Sequence, residues 1–142
     1  MKTSVHVVAS VILAAVLYHF FKWKVLLILV GGVLIDVDHY FWYVYKYRKF
    51  NFFDSYQFYI KNIEINDFTN VAGILLVFHT LEFLLIVVLL SFYYEPVFIF
   101  TIGLISHYLL DFIFLSFIAK RFIANHSIIH WVYKNKLKIQ KL

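Results

Sequence analysis

Leu34-Ile35-Asp36-Val37-Asp38-His39 breaks a run from Val25 to Tyr45 that otherwise carries no charged residue. Two carboxylates and an imidazole are costly there, because an acidic side chain at the centre of a membrane helix costs about 2.5–3.5 kcal/mol on insertion scales. A bound cation would offset that cost, provided other segments bring ligands to the same place.

The surrounding composition sets the class. The chain has 142 residues, 63% of them hydrophobic, and a mean hydropathy of +0.83. Soluble domains sit nearer half apolar, so the excess predicts an integral membrane protein, and the length predicts a single transmembrane helical domain over 1–142. Cysteine is absent, which excludes disulfides, thiolate zinc sites and a cysteine nucleophile. The net charge is +5. Its basic residues cluster beside apolar runs, which fits membrane-surface charge rather than a nucleic-acid partner.

Apolar runs over about 4–21, 25–45, 71–92 and 97–119 are each long enough to cross a hydrocarbon core of roughly 30 Å. They predict an all-α, four-helix bundle in the membrane. The first run is longer than a usual signal-peptide core and lacks a small-residue cleavage site. Pro96, the only proline, falls in the short connection before the fourth run, where a helix start tolerates it. In this topology all thirteen Lys and Arg residues except Lys22 and Lys24 fall on one side. The positive-inside rule then puts both termini and the 46–70 loop in the cytoplasm, in a multi-pass protein of the inner membrane. Within that loop Phe52, Phe53, Tyr56, Tyr59, Ile60 and Ile63 recur at helical spacing. They predict an amphipathic interfacial helix over 50–66. A second interfacial stretch is expected over 121–134.

The polar residues inside the runs are patterned. Asp36 and His39 are three apart and share a helix face, with Gly32 one turn earlier; Asp38 points to another side. His79 and Glu82 are three apart in the third run. His107 and Asp111 are four apart in the fourth, with Gly103 one turn before. Glycines beside a polar stripe suggest faces that pack into a bundle. His6 opens a face of the first run that continues through Ser10 and Ala14. At roughly 1.5 Å per residue, most of this set falls in one layer about 9–18 Å from the cytoplasmic edge. No Lys or Arg lies inside the runs to pair with the carboxylates. His19, beside Phe20 and Phe21, reads as interfacial. His126 and His130 are four apart and could clasp a metal, but their neighbours Trp131 and Tyr133 favour an interfacial reading.

His6, His39, His79, His107, Asp36, Asp38 and Asp111 are thus the candidate metal ligands. They exceed what one tetrahedral ion needs, which makes two or more ions plausible. Imidazole with carboxylate suits zinc best, with manganese or iron as alternatives. Glu82, one turn from His79, is the candidate general base.

With these residues in view, the chain resembles the small inner-membrane metal-dependent hydrolases of the LexA-binding, inner-membrane-associated type, whose pattern is similar to zinc-dependent phospholipase C. The resemblance runs through Thr3-Ser4-Val5-His6, then Leu34 to His39, then Phe78-His79-Thr80-Leu81-Glu82, then Gly103-Leu104-Ile105-Ser106-His107 with Asp111. Ile35 stands where the family has proline. The third motif has one histidine and Glu82 where the family has a His-Arg pattern. The resemblance implies a metal site and a hydrolase.

The expected function is therefore a membrane-embedded metal-dependent hydrolase that acts on a lipid or lipid-linked phosphoester by metal-activated water, with membrane lipid as both substrate and environment. The alternatives are a divalent-metal or proton transporter, for which an oligomer could supply a continuous path, and a metal-stapled small subunit of a membrane complex.

Overall fold

The computed structural model describes residues 1–65, 74–119 and 127–139, and among these residues every regular element is helical. In chain order they are α1 (Thr3–Phe21), α2 (Leu26–Val33), α3 (Val37–Tyr47), α4 (Phe52–Glu64), α5 (Leu81–Ser91), α6 (Glu95–Ile113) and α7 (Ile128–Ile139). Two stretches, Thr3–Tyr47 and Glu95–Phe117, are long and apolar enough to cross a membrane.

The first of these stretches is folded back on itself. At Lys22 the backbone turns to φ 52°, and a 3-10 turn over Lys22–Val25 reverses the chain. α2 then returns along α1, so that Ala14 shares a core cluster with Ile28, and Ser10 lies against Gly32. α6 runs beside α2 in the same direction, as far as the start of α3. Lys24 pairs with Glu95 at one end of this contact (2.5 Å), and His107 lies beside Asp36 at the other. Two glycines set the spacing. A Cβ at Gly31 would stand 2.2 Å from the Phe100 carbonyl oxygen, and one at Gly103 would stand 2.2 Å from that of Ile28. The backbones therefore touch, as small residues allow at helix interfaces.

The polarity of α1 is inside-out. Its buried residues are His6, Ser10 and Ala14, while Val8, Val11, Ile12 and Val16 are exposed. A water-soluble helix shows the opposite arrangement.

The motif that opens α3 is also a break. A 3-10 turn over Leu34–Asp36 separates α2 from α3, so the chain bends here with Ile35, not proline, in the middle.

The third run departs most from expectation. No continuous helix covers 71–92: α5 has 11 residues, or about 16 Å at 1.5 Å per residue. Before it the chain passes through a 3-10 turn over Val77–His79 and an extended Thr80 (φ −91°, ψ 149°). The reason lies in where the backbone groups go. The Phe78 N–H donates to Asp38 Oδ2 (3.1 Å), and the Tyr108 hydroxyl lies 2.9 and 2.8 Å from the carbonyls of Phe78 and Thr80. Side chains have thus taken the N–H and carbonyl of Phe78, which a helix would pair internally, while the Thr80 carbonyl also accepts from the Leu84 N–H. Thr80 then caps α5, its Oγ1 accepting from the Phe83 N–H.

The helix expected over 50–66 is present as α4, Phe52–Glu64. Asn51 caps it, its side chain accepting from the N–H groups of Phe53 and Asp54. The helix after the fourth run begins at Ile128, and residues 121–126 of the stretch expected over 121–134 lie outside the described residues. Pro96 sits in the first turn of α6, as its position predicts.

Candidate metal centre

All seven candidate ligands meet at one level of the fold. α1 brings His6, the α2–α3 break brings Asp36, Asp38 and His39, the turn before α5 brings His79, and α6 brings His107 and Asp111. They form three overlapping groups: His6 with His107 and Asp111, Asp36 with His79 and His107, and Asp38 with His39 and His79. His6, Asp38, His79 and His107 are buried. These groups could hold a metal ion.

The centre of the cluster is the pair His79 and His107. Their Nε2 atoms are 3.1 Å apart. Asp36 Oδ1 lies 3.4 Å from the first and 3.5 Å from the second, and Asp111 Oδ2 lies 3.8 and 3.2 Å from them. Two ligands of a tetrahedral ion with bonds of about 2.0–2.1 Å stand about 3.3–3.4 Å apart. The five separations bracket that value.

The hydrogen bonds behind the two rings fix what the Nε2 atoms offer. His79 Nδ1 is 3.0 Å from Asp38 Oδ2, an acceptor, so Nδ1 carries a proton. His107 Nδ1 is 2.9 Å from the Gly32 carbonyl, also an acceptor, so it carries one too. In neutral rings both Nε2 atoms then present lone pairs, aimed at each other and at two carboxylates. Such a convergence of acceptors requires positive charge. The N-terminal ammonium of Met1, 3.0 Å from Asp111 Oδ1, supplies one; an imidazolium or a metal ion between the two Nε2 atoms would supply the rest. A carboxylate or carbonyl behind each ring is the arrangement that orients histidines toward a metal.

The remaining candidates surround this centre. His6 stacks on His107 with ring centroids 3.8 Å apart, and its Nε2 lies 3.2 Å from Asp111 Oδ1 without a hydrogen bond. His39 Nε2 is 3.5 Å from Asp36 Oδ1, and its buried Nδ1 has no hydrogen-bond partner among the described residues. Asp38 uses one oxygen to orient His79, and its other oxygen, also buried, has none among them either.

Glu82 is turned away from these residues. Its Oε1 accepts from the Ser127 hydroxyl (2.6 Å) and the Ile129 N–H (3.3 Å), so it ties α5 to the first turn of α7. The geometry therefore gives no support to Glu82 as the base. His79 precedes the helix on which Glu82 lies, so the i, i+3 spacing does not place the two side chains together. His19 is exposed. His130 is exposed as well, and His126 lies outside the described residues.

Several contributors carry no signal in the sequence. The Gly32 carbonyl holds His107, and Tyr108 holds the turn that presents His79. Thr3 Oγ1 lies 3.4 Å from Asp36 Oδ2. The Tyr59 hydroxyl donates to the His39 carbonyl at 3.0 Å, and its ring meets the His39 ring edge-on. Burial, with the Asp38 carboxylate nearby, raises the Tyr59 phenol above its ordinary value, so it remains a donor.

Together these features define an all-helical protein with a buried His/Asp cluster able to hold a metal ion. No family model, curated protein or solved structure matches the chain.

Proposed function

We propose that the protein is a membrane-embedded, metal-dependent hydrolase of a lipid or lipid-linked phosphoester, of the inner-membrane hydrolase type its motifs resemble. The observation that carries this reading is the convergence of His79 Nε2, His107 Nε2, Asp36 Oδ1 and Asp111 Oδ2. A divalent ion, zinc by the chemistry of these ligands, would supply Lewis-acid polarisation of a phosphoryl oxygen and activation of water. Asp38 and the Gly32 carbonyl orient the two ligand rings. His39, beside Asp36 with a free Nδ1, is placed to take up or deliver a proton.

The membrane setting rests on the surface of the fold. Valines and isoleucines on the outside of α1, and Leu85, Ile86 and Leu89 on α5, suit hydrocarbon. In this reading α1, α2–α3 and α6 each cross the bilayer, and the segment before α5 enters it in non-helical form. Non-helical backbone at membrane depth is tolerated only where protein buries it, and Ile74, Leu76, His79 and Thr80 are all buried. The basic residues then mark the cytoplasmic side.

Phosphoester turnover in liposomes, with and without a chelator, tests the proposal. Turnover that requires the metal supports it. Metal flux across the vesicle wall without turnover would replace it with transport.

A further inference from the structure

A cavity of about 370 Å³ lies between the α2–α3 break and α4. Asp36 and His39 are part of its lining, so it opens onto the proposed metal centre. Val33 and Val37 line it from the break, and Phe52, Tyr56 and Ile63 from α4. Its lining is mainly apolar and aromatic; Met1 and Thr3 join it where they meet Asp111 and Asp36, and Ser55 is its one other aliphatic hydroxyl. Its rim is apolar as well: Leu34 and Phe52, both in the lining, are 62% and 66% exposed. A water-borne polar substrate has no reason to enter through such a rim, whereas a lipid chain does. The volume is at the low end for small-molecule pockets, which suits one chain rather than two.

α4 is the cover of this cavity; Phe58, Tyr59 and Ile63 pack it on the Ile74, Leu76 and Phe114 cluster, and two polar contacts among the described residues tie it to the cavity's other wall. Tyr59 donates to the His39 carbonyl, and Lys2 pairs with Glu64 at 3.0 Å on the surface. An exposed pair of this kind contributes little. The cover is thus tied to the backbone of a residue of the cluster itself.

We infer that this cavity is an acyl-chain site, which takes one chain of a membrane amphiphile beneath α4 and sets its head group beside Asp36 and His39. That the head group is a phosphate rests on the metal centre proposed above.

The test uses the full chain in phosphatidylcholine nanodiscs and two photoreactive probes, a diazirine-bearing tetradecyl phosphate and the corresponding alcohol. Labelled peptides are mapped by mass spectrometry. The expected label falls on the start of α3 and on α4. It drops by about tenfold in Ser55→Phe, the equivalent of about two methylenes forced out of the cavity. Because Ser55 is buried and the variant could misfold, Val33→Phe is measured beside it, with helicity and metal content as controls. Chelation should reduce labelling by the phosphate but not by the alcohol. Label spread over Val8 and Ile12 of α1, and unchanged in both variants, would overturn the acyl-chain site. Cavity labelling by the alcohol in a protein that binds no metal would keep the acyl-chain site and remove the metal centre.

Discussion

His79 Nε2 and His107 Nε2 face each other at 3.1 Å, and each ring has its other nitrogen engaged, His79 by the Asp38 carboxylate and His107 by the Gly32 carbonyl. The outer partners stand on either side of the α2–α3 break, Gly32 at the end of α2 and Asp38 in the first turn of α3. The first prediction concerns that support. Asp38→Asn keeps the size of the side chain but weakens its hold on the imidazole. Loss of an orienting partner typically costs 10–100-fold in metal affinity. A competition titration with a metal-sensitive dye should show a loss of about that size while the protein remains folded.

Tyr108→Phe removes the hydroxyl that lies against the carbonyls of Phe78 and Thr80. The Thr80 carbonyl keeps the Leu84 N–H, but the Phe78 carbonyl loses its partner, and leaving a buried carbonyl unsatisfied costs about 1–3 kcal/mol. Thermal unfolding in detergent should shift downward accordingly. Metal affinity should fall with it, since the same turn presents His79. Unchanged metal affinity would mean that the turn holds without Tyr108.

Gly103→Ala puts a methyl group against the Ile28 carbonyl, and neither backbone can yield without separating α2 from α6. Overpacking of this kind costs about 1–3 kcal/mol or more. The variant should lose both stability and metal content, because Asp36 and His107 sit on opposite sides of that contact. A stable, metal-replete Gly103→Ala protein would show that the two helices are not in close contact.

Glu82→Gln separates two roles. A general base contributes typically 10²–10⁴-fold to rate, and a glutamine would lose it. The structure instead places Glu82 on Ser127 and Ile129. Turnover should therefore change little, while backbone hydrogen exchange over 128–139 becomes faster. A loss of activity on the scale of a general base, with α7 unaffected, would restore Glu82 to the chemistry.

The His/Asp cluster was legible in the sequence because ionisable side chains in apolar runs are expensive, so each of them signals a partner. The pairs Asp36/His39 and His107/Asp111 lie near enough on their helices for spacing to be informative, and both residues of each pair reach the cluster. The pair His79/Glu82 misleads because hydropathy cannot distinguish a helix from buried extended backbone. The stretch 71–92 is apolar enough to be a helix, yet Asp38 and Tyr108 draw its backbone groups away, and α5 starts only at Leu81. Asp38 was legible as a member of the site, but its use in orienting His79 was not. That depends on a contact between segments 40 residues apart. That a helix lies within 50–66 followed from the spacing of its apolar residues. Its place as the cover of a cavity beside His39 did not, since this depends on how α4 packs on α3.

The central claim is that the four converging acceptors hold a metal ion rather than a shared proton. Elemental analysis by mass spectrometry, on protein purified without chelators, measures this directly. The account predicts at least one divalent ion per chain, lost in His107→Ala and in Asp36→Ala proteins that retain their helicity. A folded wild-type protein without stoichiometric metal, even after incubation with zinc, manganese or iron, would contradict it and leave His79 as an imidazolium in a network of ion pairs.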